Sequence, residues 1–292
     1  MPSTRDIRRR IKSVKNTAQI TKAMQMVASS KMRKAQLAAL AGRPYAKLMN
    51  TMLADVSGDA KDFTHPLLEK RGGKNRCVVL VSTDKGLCGA LNSNLTREAF
   101  KYDKDTTVFV CAGKKGAQFV ARNKRNLAAE FTYKDTPLFA EARAISKFVQ
   151  DLFLKGEVDS VEVLYTNFVS TLVQKPESLP LLPVGELKGV QAGVDGGETS
   201  VVLEKSGVEF QFEPGADAVL GALLPHYLNF QIYQILLEAK ASEQSSRMVA
   251  MKNATDNAKQ LIKDLTLEYN KLRQANITKE LLEITTAQMA LG

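Results

Sequence analysis

Between Asp217 and Gly292 the sequence repeats an alternation of three- and four-residue steps. Leu223, Tyr227, Phe230, Gln234, Leu237, Ala241, Gln244, Met248, Met251, Thr255, Ala258, Ile262, Leu265, Tyr269 and Leu272 fall on it. This is the seam of a heptad helix. No proline follows Pro225, and no glycine intervenes before Gly292, once Gly221 is passed. At 1.5 Å per residue such a helix reaches roughly 110 Å, several times the radius of a domain. It cannot fold back into a compact core, so it requires a partner along its seam or an enclosing sleeve.

The partner is in the same chain. Ile11, Val14, Ala18, Thr21, Gln25, Ala28, Met32, Ala35, Ala39, Gly42, Ala46, Met49, Leu53 and Val56 step in the same way. Residues 4–56 therefore read as a second long helix, with Ser3 or Thr4 as its cap. Many of its seam residues are small, which permits close contact. Pro44 is expected to kink it or divide it into two shorter helices. In the C-terminal helix Pro225 lacks the N–H that would bond the Gly221 carbonyl, so a kink or a helix start is expected there. Two long helices at the two ends of one chain must pair antiparallel. Ile11, Val14, Met32, Met49, Met248, Met251, Ile262 and Leu265 are expected at the contact. The C-terminal helix is longer by roughly 20 residues, or about 30 Å, so its tip from about Leu272 should stand as a single helix.

Between them the period changes. Residues 57–75 contain Ser-Gly, His-Pro and Gly72-Gly73 and read as a linker. Cys77–Thr83 and Thr107–Ala112 are continuous apolar runs, as in buried parallel strands. Leu127–Tyr133 and Val158–Tyr165 are further strands. Helices are expected after the 84–89 turn to about Tyr102, over Gly113–Asn123 and over the amphipathic stretch Leu138–Leu154. Alternating strands and helices define an α/β domain with a mostly parallel sheet. From Ser170 to Glu213 the pattern turns to hairpins, with prolines at 176, 180 and 183, and VVLE and VEFQFE as alternating strands. The fold class is thus α/β: a long antiparallel coiled coil of the terminal helices with an inserted Rossmann-like domain. The divisions are 1–58 for the N-terminal coil helix, 75–213 for the globular domain and 214–292 for the C-terminal coil helix.

Net charge is +10, and residues 1–50 hold twelve Lys and Arg against the single acid Asp6. The whole excess lies in the N-terminal helix, so an acidic partner is expected there. Arg5, Arg8, Arg9, Arg10, Lys12, Lys15 and the KMRK run at 31–34 make a basic face without interleaved aromatics to stack on bases. A solvated face, phosphate binding and steering against acidic protein loops are all open for it. Cys77, Cys88 and Cys111 form no CxxC pair, which fits a reducing compartment. No apolar run approaches the 18 residues of a membrane span.

Catalytic chemistry is hard to place. The turn after the first strand carries Gly86 and Gly89 as GxxG, which is neither GxGxxG nor a P-loop. Its helix N-terminus could hold an anion, but a tight βα turn with no ligand is the favoured reading. Gly113-Lys114-Lys115-Gly116 reads the same way. His65 and His226 are the only histidines, and they lie in different segments, so neither a metal cluster nor a His-based triad is expected. No catalytic residue, cofactor or metal ligand is assigned.

Several stretches resemble the γ subunit of F-type ATP synthases: ITKAMQMVASSKMRKAQ at 20–36, RPYA at 43–46, VSTDKGLCGALNSNL at 81–95, SEQSSRMVAMKNATDNA at 242–258 and ITKELLEI at 277–284. They cover nearly the whole chain in the family's order. Ala287-Gln288, where the family has Gly-Ala, and Pro225 depart from the pattern. The resemblance implies a non-catalytic rotor shaft for the central stalk, coupling ion-driven rotation of the c-ring to ATP synthesis or hydrolysis at the β subunits. It implies one copy per complex inside an α/β hexamer, with the globular domain as a foot against the ε subunit and the c-ring. Membrane contact is then only through the c-ring, at the cytoplasmic face of a bacterial inner membrane, with no nucleic acid bound. Met24, Arg247, Gln274, Thr278 and Glu280 match positions that face β-subunit loops; Phe210 and Glu213 match the c-ring and ε face. The match begins near residue 1, implying no presequence, and the cysteine-bearing insert of chloroplast relatives is absent. A basic coiled-coil protein that binds nucleic acid and a nucleotide-dependent enzyme built on the α/β domain are the competing readings.

Overall fold

The computed structural model describes residues 3–59, 65–184, 213 and 215–291. Ten elements follow in order: helix α1 (Thr4–Asp59), strand β1 (Arg76–Val81), α2 (Leu91–Phe100), β2 (Thr107–Ala112), α3 (Lys114–Arg122), β3 (Asn126–Phe131), α4 (Phe139–Leu154), β4 (Ser160–Phe168), β5 (Gln174–Leu182) and α5 (Ala216–Leu291). The expected VVLE and VEFQFE strands lie outside the described residues. The chain forms two compact units, Met1–Val27 with Met248–Gly292, and Ala28–Arg247.

Both prolines lie inside helices. Pro44 is within α1 and Pro225 within α5. Residues 4–56 lie in one helix, as expected, rather than in the two shorter ones weighed as the alternative. Of the two outcomes expected at Pro225 the helix start is corrected, since α5 begins nine residues earlier, just after Gly215. A proline removes one backbone bond, and the packing of the seam outweighs that loss. Every described seam position in α1 and α5 is buried or half-buried.

In the first unit the two helices run antiparallel. Arg8 donates to the Tyr269 hydroxyl, and its guanidinium lies 5.4 Å from the centre of that ring. Thr21 and Thr255 meet hydroxyl to hydroxyl at 2.7 Å. Each hydroxyl also reaches a carbonyl of its own helix, Thr21 that of Ala18 at 3.1 Å and Thr255 that of Met251 at 2.8 Å. Ile7, one heptad step before the first expected contact, is 3% exposed and extends the seam.

In the second unit the strand order is β3-β2-β1-β4-β5. The first four strands are parallel and β5 is antiparallel to β4. Alternation along β1 explains its two-sided burial. Val78 and Leu80 point to the face covered by α2 and α3, where they pack with Leu95, Ala99, Ala117 and Val120. Cys77, Val79 and Val81 point to the opposite face, covered by α4 and by the 224–239 stretch of α5. That stretch also takes α1: Tyr45 packs on Phe230 with ring centroids 4.8 Å apart. A Cβ added at Gly42 would sit 3.2 Å from Gln234 Oε1, so the missing side chain lets the helices approach.

The described part of the expected linker is bound to the domain. Leu67 is buried and its carbonyl accepts from the Val184 N–H at 2.9 Å. Arg71 donates to the Phe153 carbonyl at 2.5 Å and stacks over that ring at 4.3 Å. Asn75 N–H bonds Asp159 at 3.0 Å. Gly and Pro marked these turns correctly, but local composition carries no sign of their distant partners.

Candidate functional site

In an open α/β sheet a ligand binds beyond the carboxyl ends of the strands, where the strand order reverses. Here that place lies between β1 and β4, bounded by the loop after Val81 and the loop after Phe168. Helix α5 fills it. The Ser245 hydroxyl donates to the Thr171 carbonyl at 2.8 Å, and the Ser246 hydroxyl donates to the Cys88 carbonyl at 2.7 Å. Arg247 Nη2 reaches the Gly86 carbonyl at 3.4 Å. Three successive residues of one helix thus close the crevice from both sides.

The N-terminus of α3, which could hold a phosphate, is also occupied. The N–H groups of Lys114, Lys115 and Gly116 bond Asp84 Oδ1, the Thr83 carbonyl and Ser82 Oγ at 3.0, 3.0 and 2.7 Å. Gly113 has φ 109°, and a Cβ there would stand 2.3 Å from the Ser82 carbonyl oxygen. The GKKG turn is therefore a close strand–helix junction with no room for an anion. In the neighbouring DKGLCG turn, Asn92 Nδ2 donates to Thr83 Oγ1 at 2.7 Å.

Behind the crevice lies a chain of charges. Arg247 Nη2 pairs with Glu243 Oε1 at 2.8 Å, and Lys240 Nζ lies 2.9 Å from Glu243 Oε2. Lys240 also faces Asp135 at 3.5 Å and sits 5.0 Å from the centre of the Tyr133 ring. Lys31 closes the chain on Asp135 at 2.5 Å. The bond from Lys31, reinforced by the Lys240 charge, holds the Asp135 carboxyl below the usual range against its partial burial. Tyr133, wholly enclosed, donates to the Ser82 carbonyl at 3.0 Å and is pushed well above the ordinary phenol value by desolvation.

Burial pushes the Cys77 and Cys111 thiols up to about 12, which keeps them protonated and poor nucleophiles. Cys88 is also raised, mainly by burial, with the Arg247 charge opposing. His65 accepts from the Leu67 N–H, and His226 meets the Tyr45 hydroxyl at 2.6 Å. Among the described residues no three His, Cys, Asp or Glu side chains come together as a metal site.

Of the residues matched to partner-facing positions, Met24 is half-buried on α1. Arg247 is 9% exposed. Gln274, Thr278 and Glu280 are exposed on the last part of α5, and Glu213 is exposed before it. Phe210 lies outside the described residues. The structure reveals what sequence reading missed, namely that Ser245 and Ser246 plug the crevice and that Lys240 and Glu243 are buried ions. Their only sequence signal was the polar run at 240–247 within an otherwise largely apolar part of the helix.

The fold is a Rossmann-like α/β body together with an antiparallel pair of long terminal helices. The sequence profile of the ATP synthase family matches residues 3–291. The ATP synthase gamma chain of Opitutus terrae is 53% identical over 298 residues, covering 99% of each chain. That of Methylacidiphilum infernorum is 46% identical over 297 residues, covering 100% of each. A chain in the central stalk and c-ring structure of Tetrahymena thermophila mitochondrial ATP synthase superposes with a TM-score of 0.60 at 26% identity, over 80% of this chain and 99% of that one. A chain of the Euglena gracilis mitochondrial enzyme shares the fold, with a TM-score of 0.67 at 21% identity over 99% and 94%. The chain belongs to the ATP synthase gamma chain family. It is a non-catalytic stalk subunit of that complex; the catalytic sites are in the β subunits.

Proposed function

We propose that the chain is the shaft on which ion-driven rotation of the c-ring is carried to the three β sites, turning inside the α/β hexamer. In this reading residues 1–58 and 214–292 are the coil, and 75–213 are the foot that meets the ε subunit and the c-ring. Phe210 and Glu213 lie on that face. One copy serves each complex at the cytoplasmic face of a bacterial inner membrane. No described helix is long and apolar enough to cross a membrane, so contact with it runs through the c-ring. The basic face of α1 meets acidic loops of the β subunits, with Met24 opposite them. Gln274, Thr278 and Glu280 supply polar contacts from the end of α5. Arg247 has five N–H donors; Nη2 is engaged inside the chain, and the remainder serve the β loop.

The observation that carries this reading is the bonding of α5 to the loops on both sides of the crevice, which ties the long helix to the α/β body. Because the shaft presents a different face to each β subunit, differential contact biases three otherwise equal sites. The test is turnover in the assembled complex. Arg247→Ala lowers steady ATP turnover with assembly intact, by about tenfold if a charged hydrogen bond worth about 1.5–3 kcal/mol is lost at the rate-limiting step. Lys271→Ala, an exposed lysine on the same helix, leaves turnover unchanged. Equal, near-wild-type turnover from both removes the role given to Arg247. Binding to duplex DNA with a steep salt dependence would favour the nucleic-acid reading instead.

A further inference from the structure

The ion chain behind the crevice joins three parts of the second unit that are far apart in sequence. Lys31 is on α1, Asp135 is on the loop before α4, and Lys240, Glu243 and Arg247 are on α5. At its far end Arg247 holds the Gly86 carbonyl of the β1–α2 loop. The two middle members are deeply enclosed, since the side chains of Lys240 and Glu243 are each 4% exposed. The Lys240–Glu243 contact is ionic rather than a well-aligned hydrogen bond, because Glu243 Oε2 has no hydrogen-bond partner. The ring of Tyr133 lies under Lys240, and the same tyrosine is anchored to Ser82 at the end of β1.

Buried ion pairs are a poor means of adding stability, because apolar residues of equal volume commonly do as well or better. They differ from apolar packing in their response to displacement. A sliding apolar contact trades one methyl group for another. A displaced buried ion leaves its partner uncompensated in a low dielectric, which is strongly unfavourable. A chain of such pairs therefore fixes one relative position of the elements it joins.

We infer that Asp135 and Lys240 are positioning residues for torque: with Lys31 and Glu243 they lock α1 and α5 to the α/β body, so that twist applied to the body reaches the helices without slip. The inference rests on the shaft reading above. Nothing in the β-subunit contacts assigned there uses Asp135 or Lys240. Asp135 has a half-exposed side chain, so Asp135→Asn changes charge with little change of shape, and Lys240→Arg keeps the charge at the buried position.

The experiment is single-molecule rotation of the assembled complex, with a probe on the foot and the hexamer fixed. The angular spread during each catalytic pause reports torsional stiffness. Asp135→Asn and Lys240→Met should widen the variance by at least about twofold, since each leaves one link of the chain uncompensated. Lys240→Arg should return it close to wild type, and unloaded ATP turnover should stay at the wild-type level in all three. A merely structural role would lower assembly and turnover and leave the spread of assembled molecules alone. Unchanged variance in assembled Asp135→Asn overturns the inference even if Lys240→Met does not assemble. Failure of the wild-type probe to rotate on ATP would overturn the shaft reading itself.

Discussion

Residues 231–247 and 273–289 of α5 carry opposite mismatches between polarity and burial. In the first stretch Gln231, Gln234, Glu238, Lys240, Glu243 and Arg247 are all 9% exposed or less. In the second, Ile277, Leu281, Leu282, Ile284 and Met289 are 48–84% exposed. One helix thus hides charges at one end and shows apolar side chains at the other. Burial in the first stretch comes from all sides: the sheet and α4 lie on one face, α1 on another, and the crevice loops on a third. A buried polar residue is tolerated where it has a partner within reach, as Glu243 has Arg247 and Ser245 has the Thr171 carbonyl; the Ser242 hydroxyl and Gln234 Oε1 have no hydrogen-bond partner. Among the described residues the second stretch has no such neighbours. An exposed apolar cluster is the usual mark of an interaction site.

The sharpest way to break this comparison is to delete matched volume at both ends. Leu228 is wholly buried within the core between the sheet and α5. Leu228→Ala should lower the stability of the isolated chain by about 2–5 kcal/mol, the usual range for a core leucine, read as a lower urea midpoint. A loss below about 1 kcal/mol would mean that the sheet face does not depend on α5 for its cover.

The charged end can be probed by acid. Asp135 is held below its unfolded value of 3.8, first by the Lys31 bond and then by Lys240. A carboxylate depressed in the folded state contributes stability above its unfolded pKa and loses it as pH falls through the lower folded value. Wild type should therefore melt above Asp135→Asn at about pH 6, and the gap should close as pH falls below the ordinary carboxylate range. Half-exposure and salt keep the effect small. A gap that persists in strong acid would show that the carboxylate charge is not what holds Lys31 and Lys240.

Much of the architecture was open to reading from the sequence. The runs CVVLV and TVFVCA announce two-sided strands because every second residue must meet a different helix layer, and β1 and β2 form there. The three- and four-residue steps announced both long helices and their shared seam. Pro225 misled in part, since a local rule about one lost backbone bond was set against many seam contacts and no helix starts there. The crevice plug and the ion chain could not be read at all. Ser246 bonds Cys88 and Lys31 bonds Asp135 across more than a hundred residues, and no local pattern encodes which polar residue will find which partner. Arg247 shows both sides of this: its motif was legible, and its bond to Gly86 was not.

The tip gives the smallest effect and the finest test. Continued beyond Leu272, the coil seam would fall on Asn276, Lys279, Glu283 and Thr286, which are polar. The apolar residues Ile277, Leu281 and Ile284 share a different stripe: Ile277 and Ile284 each follow a seam position by one residue, or about 100° around a helix of 3.6 residues per turn, and Leu281 lies two residues from the seam, further round. This stripe is therefore not an extension of the coil awaiting α1. Lys279 and Glu283 sit on the seam side within 3.6 Å of each other, an exposed i,i+4 pair that supports a lone helix only weakly. Leu281→Gln with Ile284→Gln should accordingly leave the urea midpoint of the isolated chain within about 0.5 kcal/mol of wild type. The same pair of changes on the buried stretch would not be tolerated. A drop of more than about 1 kcal/mol would mean that the tip packs against its own chain, and the contrast between the two ends of α5 would collapse. No change in the isolated chain, together with weaker retention in the assembled complex, would show that the apolar stripe is kept for a partner.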